Sequence, residues 1–204
     1  MTKETISKSE RTRMFIIEQA ANLFNQKGYA GTSMDDILQA TGLSKGGVYG
    51  NFKSKEEIAI AAFEHSVETV AQEIRLRTKL KKKVLDKLRA VVHFYQERIL
   101  NPPVEGGCPI LNTAVEVDDN NPVLRERVKA ALDQWEQSIA YVIQRGIAQN
   151  EIRSDTDARA FAVRFIATLE GSILLTRLYK DMRYFDTMSK QLFEMIEELQ
   201  VIDN

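Results

Sequence analysis

The stretch Thr32 to Lys55, TSMDDILQATGLSKGGVYGNFKSK, holds the residues whose types and spacing best suit contact with a partner. Two short helical segments, about 34–41 and 45–51, meet at a turn that contains Gly42, which is the arrangement of a helix-turn-helix. Ser33 caps the first and Ser44 the second, because a hydroxyl oxygen accepts from the otherwise unpaired amides of a first turn. Ile37, Leu43, Val48 and Phe52 hold core positions, together with Ile17 and Phe24 of the preceding helix. Ser44, Lys45, Gly46, Gly47, Tyr49 and Asn51 are left largely outward.

That outward set suits a nucleic-acid backbone. Ser44 and the first helical amides can meet a phosphate, Lys45 a phosphate or guanine acceptors, and Tyr49 and Asn51 phosphates or base edges. Gly46 and Gly47 each cost a helix about 1 kcal/mol relative to alanine. Two in succession on so short a helix must serve something other than stability, and close approach of backbone to DNA supplies a reason. Lys55, at the start of the next helix, is placed to hold the flanking DNA backbone, and Ser33 joins the DNA-contact set. The bland alternative is a helical hairpin that binds nothing.

The elements around this stretch all read as helices. Of 204 residues, 44% are hydrophobic and 28% charged, with 4 prolines and 10 glycines, a balance that favours helix over strand. Net charge is −1 but uneven: residues 1–55 carry eight basic and five acidic side chains, so only this part has a sign suited to phosphate. The acidic remainder argues against a nucleoid-type architectural protein. A helix from about Ser9 ends at Gly28. Ser54 and Glu57 form a capping-box pattern opening a helix over about 55–78. Further helices span about 82–100, from Asn121-Pro122 onward with a stripe through Trp135 and Ile143, about 157–180 capped by Asp155 or Thr156, and about 184–201. NPPVEGG, residues 101–107, breaks the pattern. The expected fold is all-α with about nine helices: a helix-turn-helix domain over 1–54 and a helical domain over 55–204.

Residues 11–64 resemble the DNA-binding domain of the tetracycline-repressor (TetR) family of bacterial regulators. The likeness rests on the helix ending FNQKGYAGTS, on MDDILQATGLSKGGVYGNF and on KSKEEI, which are specific together in this order. The later two thirds match the family in helix count and layout. The resemblance implies a homodimeric repressor that leaves double-stranded operator DNA when a small molecule binds its C-terminal domain. It also implies DNA contact at Ser44, Lys45, Gly46, Gly47, Tyr49, Asn51 and Lys55. One departure is Gly50-Asn51, where many members carry bulkier, often aromatic or histidine residues, so the operator sequence stays open. Activation instead of repression is the alternative.

The C-terminal part carries the effector and dimer expectations. Leu88, Val92, Tyr95, Leu111, Asn112, Trp135, Ile139, Phe165, Thr168 and Leu169 are candidate lining of a site for an apolar or aromatic compound. Aromatics at helical spacing also serve as plain core, and Asn112 or Thr168 could equally be satisfied by backbone. The helix at 157–180 is apolar nearly all round, which suggests burial against a second subunit. Phe161, Ser172, Leu175, Leu192, Ile196 and Leu199 are the candidate dimer contacts. The break at 101–107 with CPILNT is the candidate moving element. No enzyme signature is visible: no phosphate loop, zinc pattern or nucleophile elbow. His65 and His93 are the only histidines, without an acidic cluster spaced to make a metal site. Cys108, the single cysteine, reads as a small buried hydrophobe over a redox sensor. The N-terminus lacks the apolar stretch of a secretory signal and no run reaches membrane-span length, so the expected location is the cytoplasm and no cofactor is implied.

Overall fold

The computed structural model describes residues 7–117 and 121–201. Among the described residues nine helices follow in order: α1 (Lys8–Gly31), α2 (Met34–Thr41), α3 (Lys45–Tyr49), α4 (Lys55–Lys79), α5 (Val84–Arg98), α6 (Pro109–Val117), α7 (Pro122–Ala148), α8 (Ala158–Tyr179) and α9 (Met182–Glu197). The fold is all-α. An isolated antiparallel bridge joins Ile152 to Gln200.

The caps explain where these helices start. Ser7 opens α1 in a reciprocal capping box with Glu10, two residues before the expected Ser9. Ser33 and Asp36 make a second box at α2, and Gly42 ends α2 in the left-handed region at φ 64°. At α4 the expected box is half formed. Ser54 Oγ accepts from Glu57 N at 3.1 Å, but the Glu57 carboxylate turns to Lys53 N at 2.8 Å and to Arg13. Asn121 Oδ1 accepts from Leu124 N at 3.0 Å, with Pro122 as the first residue of α7. The cap of α8 is Asp157 in place of Asp155 or Thr156, its carboxylate taking Arg159 N and Ala160 N.

Two compact units emerge, and their division differs from a cut at 54/55. The first unit comprises described residues 7–69, 104–117 and 121–128, and the second comprises 70–103 and 129–201. Helix α6 therefore belongs with the helix-turn-helix. The reason is a polar network onto α1. Asn25 Nδ2 donates to Glu105 O at 2.8 Å and Gly107 O at 3.1 Å. Asn112 Nδ2 meets Asn25 O, Asn25 Oδ1 and Gly106 O at 3.0–3.1 Å. Gly28, at φ 75°, interrupts α1, and the Glu116 carboxylate takes the amides of Tyr29 and Ala30 at 2.6 Å each. The segment expected to move is thus tied down on one helix, with Gly106 at φ 111° pressed so close that a Cβ there would lie 2.4 Å from Asn25 O.

Ile16, Ile17, Ala20, Ile37, Val48, Phe52 and Ile58 form the core of the first unit, with Phe24 and Leu43 partly buried against it. In the second unit α9 packs on α5 and α8. This packing overturns most of the expected dimer contacts. Phe161, Ser172, Leu192, Ile196 and Leu199 are buried within the single chain, between 0% and 4% exposed, so no partner can reach them. Only Leu175 remains accessible. Besides Leu175, the exposed apolar residues of α8 are Val163, Leu174, Leu178 and Tyr179.

Candidate functional site

Helix α3 is held from below and open above. Val48 (0% exposed) and Phe52 (2%) anchor it to the core of the first unit. Ser44 Oγ accepts from Gly47 N at 3.1 Å and so fixes its first turn. Arg13 of α1 fixes its far end: Nη1 donates to Asn51 O at 2.5 Å, and the guanidinium lies 3.9 Å over the Phe52 ring. Sequence reasoning missed Arg13, because its partners stand 38 and 44 residues away and no local spacing signals them.

What α3 leaves outward is Ser44, Lys45, Gly46, Tyr49 and Gly50, all exposed. Lys45 Nζ lies 5.9 Å from the Tyr49 ring centre. A Cβ built on Gly46 would meet nothing within 4 Å, and one on Gly47 would make only ordinary contacts with Ser44 and Leu43. The glycine pair is therefore not required by packing inside the chain.

Three expected DNA contacts are spent internally. Asn51 Nδ2 donates to Gly47 O at 2.8 Å, closing the end of α3. Lys55 Nζ donates to Tyr29 O at 2.9 Å and Thr32 O at 3.0 Å and lies 4.2 Å over the Tyr29 ring, so its charge secures the turn after Gly28. The Ser33 hydroxyl is engaged with Asp36, whose carboxylate also binds Lys27 Nζ at 2.7 Å. Lys27 and then Ser33 hold the Asp36 carboxyl well below the ordinary carboxylate range. Glu57 is likewise lowered, first by the Lys53 amide and then by Arg13.

The second unit contains an open cleft of about 710 Å³ between the α4 end, α5 and α7. Leu88, Trp135 and Ile139, expected as effector lining, do line it, as does Tyr141. The other effector candidates lie elsewhere. Val92, Tyr95, Phe165 and Leu169 are buried core of the second unit and do not line the cleft. Thr168 is half-buried on α8 and does not line the cleft. Leu111 and Asn112 sit on α6 in the first unit, where Asn112 serves the network onto α1. The cavity beneath α6 is about 20 Å³, room for roughly one water. Cys108 is buried, and His93 packs its ring 5.2 Å from Phe193. No helix among the described residues is long and apolar enough to cross a membrane.

Comparison with known proteins agrees with this layout. Residues 16–62 match the model of the bacterial regulatory proteins of the tetR family, and residues 84–192 match the tetracyclin repressor-like C-terminal domain. A TetR transcriptional regulator crystal structure from Chloroflexus aurantiacus superposes with a TM-score of 0.90 at 41% identity, covering 96% of this chain and 99% of that one. An uncharacterized HTH-type transcriptional regulator of Mycobacterium tuberculosis is 31% identical, over 91% of this chain and 93% of its own length. The HTH-type transcriptional repressor DhaR of a Mycobacterium species is 24% identical, over 90% and 91%. The chain belongs to the TetR family of helix-turn-helix transcriptional regulators.

Proposed function

We propose that this chain acts as a homodimeric, non-enzymatic repressor in the cytoplasm, reading an operator with α3 and released when a small molecule occupies the cleft of the second unit. The observation that carries the DNA contact is the exposed Lys45–Gly46–Tyr49 surface, whose glycines the chain's own packing does not need. A flat, cationic helix face of this kind suits a major groove. Lys45 and Tyr49 carry the contact, with Ser44 and Gly47 beside them.

The dimer contact moves to the exposed side of α8. Val163, Ala167, Gly171, Leu174 and Leu178 follow one another at helical spacing, and a Cβ on Gly171 would meet nothing within 4 Å. Such a stripe suits close approach by the same stripe of a second copy. Two-fold symmetry then sets the two α3 helices about 34–36 Å apart, or a multiple, on a pseudo-palindrome. Helix α4 contributes Ile58 and Ala62 to the first core and Ile74 and Thr78 to the cleft. A ligand that displaces the cleft end of α4 thereby acts on the covalently continuous DNA-binding end, and a preference of a few kcal/mol for the released form suffices. The name of the relative DhaR favours repression over activation.

Selection of bound genomic fragments, followed by fluorescence anisotropy, tests the reading. The expected result is a shared pseudo-palindromic sequence whose tight binding is lost in Lys45→Ala and in Tyr49→Ala. Sequence-blind binding that both variants retain would overturn it.

A further inference from the structure

Between α3 and α4, residues 51–53 are held at both ends by one ion pair. Arg13 Nη1 donates to Asn51 O at 2.5 Å, and the Glu57 carboxylate accepts from Lys53 N at 2.8 Å. Arg13 Nη2 and Glu57 Oε1 then meet at 3.3 Å, which closes the ring. Between these ends the guanidinium lies 3.9 Å over the Phe52 ring. Asn51 carries the hold into α3. Its Nδ2 donates to Gly47 O at 2.8 Å, while its own amide and that of Phe52 donate to Val48 O at 3.0 and 3.1 Å. Helix α3 has five residues, too few to be stable on its own, so its setting depends on such outside ties. Stability alone is a poor reason for the ion pair, because its side chains are 40% and 38% exposed and solvent screens them.

We infer that Arg13 and Glu57 clasp this segment so that α3 presents Lys45 and Tyr49 at the angle the operator requires, which makes Arg13 a positioning residue for sequence recognition and not a DNA contact. This rests on the reading of α3 as the DNA-contacting helix, and it adds a control of that helix from α1 and from the first turn of α4. Hydrogen bonds to base edges need their donors placed within about 0.5 Å and about 10–20°. The planar fork of a guanidinium suits the task. It serves a carbonyl and a carboxylate at once and lays its face on Phe52, which an ammonium cannot do. The clasp also accounts for the half-formed capping box of α4, since the Glu57 carboxylate is committed to Lys53 N and Arg13.

Two measurements on the full-length protein test the clasp. Arg13→Met keeps an unbranched stem over Phe52 and removes the donors, and Glu57→Gln keeps an oxygen for Lys53 N and removes the charge. Each variant is titrated by anisotropy, well below its melting midpoint and over a range of KCl, against the selected genomic fragment and a scrambled duplex of equal length. Arg13→Met is expected to weaken the selected fragment roughly tenfold or more and to leave the scrambled duplex unchanged. Its salt slope should match the parent's, because a lost phosphate contact would lower that slope by about 0.9. Glu57→Gln should weaken the selected fragment by less, and should cost nothing further when Arg13→Met is already present. In the DNA-free protein, amide exchange at residues 50–52 should quicken in both variants while that at residues 37–42 holds. A lowered slope with equal loss on both duplexes would overturn the inference and make Arg13 a phosphate contact. An unchanged affinity beside a lowered melting midpoint would overturn it in favour of a purely structural tie, and fully additive losses would break the link between the two residues. Selective binding by the parent, with exchange indifferent to Arg13→Met, counts against the clasp and leaves the operator reading standing. Quickened exchange in the variants of a parent that binds no sequence selectively counts against the operator reading and leaves the clasp as the holder of α3.

Discussion

Replacing Asn112 by alanine separates two roles that its sequence position left open. A ligand-orienting Asn112 would matter to effector affinity and little to stability. The structure instead makes it a strut, with Nδ2 at 3.1 Å from Asn25 O, 3.1 Å from Asn25 Oδ1 and 3.0 Å from Gly106 O. In an unbroken helix the amide of Tyr29 would serve Asn25 O, but that amide donates to Glu116 here. Truncation leaves Asn25 O and Gly106 O without this donor. A buried carbonyl left unmet costs about 1–3 kcal/mol. Asn112 is itself half-buried, so water offsets part of the loss, and a total of about 2–3 kcal/mol is expected for the two carbonyls. At about 2–4 °C per kcal/mol for a chain of this size, the midpoint in scanning calorimetry should fall by roughly 5–10 °C. Asn112→Asp should fall further, since it points an acceptor at acceptors. An unchanged midpoint together with a weakened Trp135 fluorescence response to ligand would refute the strut and restore the lining role.

Other substitutions test other parts of the account. Lys55→Ala should lower the melting midpoint, with a cost of about 1–3 kcal/mol for the Tyr29 and Thr32 carbonyls it serves; a midpoint unchanged alongside lost DNA affinity would mean a direct phosphate contact instead. Leu174→Arg with Leu178→Arg should convert the proposed dimer to monomer in sedimentation velocity without unfolding the chain, because both side chains are exposed within it; a dimer that survives places the interface elsewhere. The Asp36 carboxyl is held low by Lys27 and Ser33, so its stabilisation is fully present above the ordinary aspartate value of about 3.9 and fades as pH falls through its folded value. Urea unfolding of Asp36→Asn should therefore show a deficit against the parent at pH 7 that narrows at pH 3, and a deficit independent of pH would contradict that assignment.

The helix-turn-helix was legible because its signals are local. Ser33, Gly42 and Ser44 mark ends within a few residues of what they cap, and the apolar positions at Ile37, Val48 and Phe52 follow helical spacing into one core. The rest depends on long-range pairing, which spacing does not encode. Lys55 has the type and place of a phosphate contact, yet Gly28 opens α1 and presents carbonyls that claim its ammonium. Asn112 reads as ligand lining in the sequence, and only the fold shows that it and Glu116 of α6 bond to α1. Helix α8 announced that it is buried on several sides. Periodicity could not say which side meets α9 and which stays free, so Phe161 and Ser172 were assigned to a partner subunit when the chain itself covers them.

The central claim is that the outward face of α3 is shaped for DNA at some cost to the helix. Gly46→Ala addresses it in one protein with two readouts, since the added Cβ meets nothing in the chain within 4 Å. Thermal unfolding should show stability unchanged or raised by up to about 1 kcal/mol, the helix-propensity difference. Operator affinity by anisotropy should fall at least tenfold. An affinity equal to that of the parent, with stability raised, would contradict the claim that this glycine admits DNA.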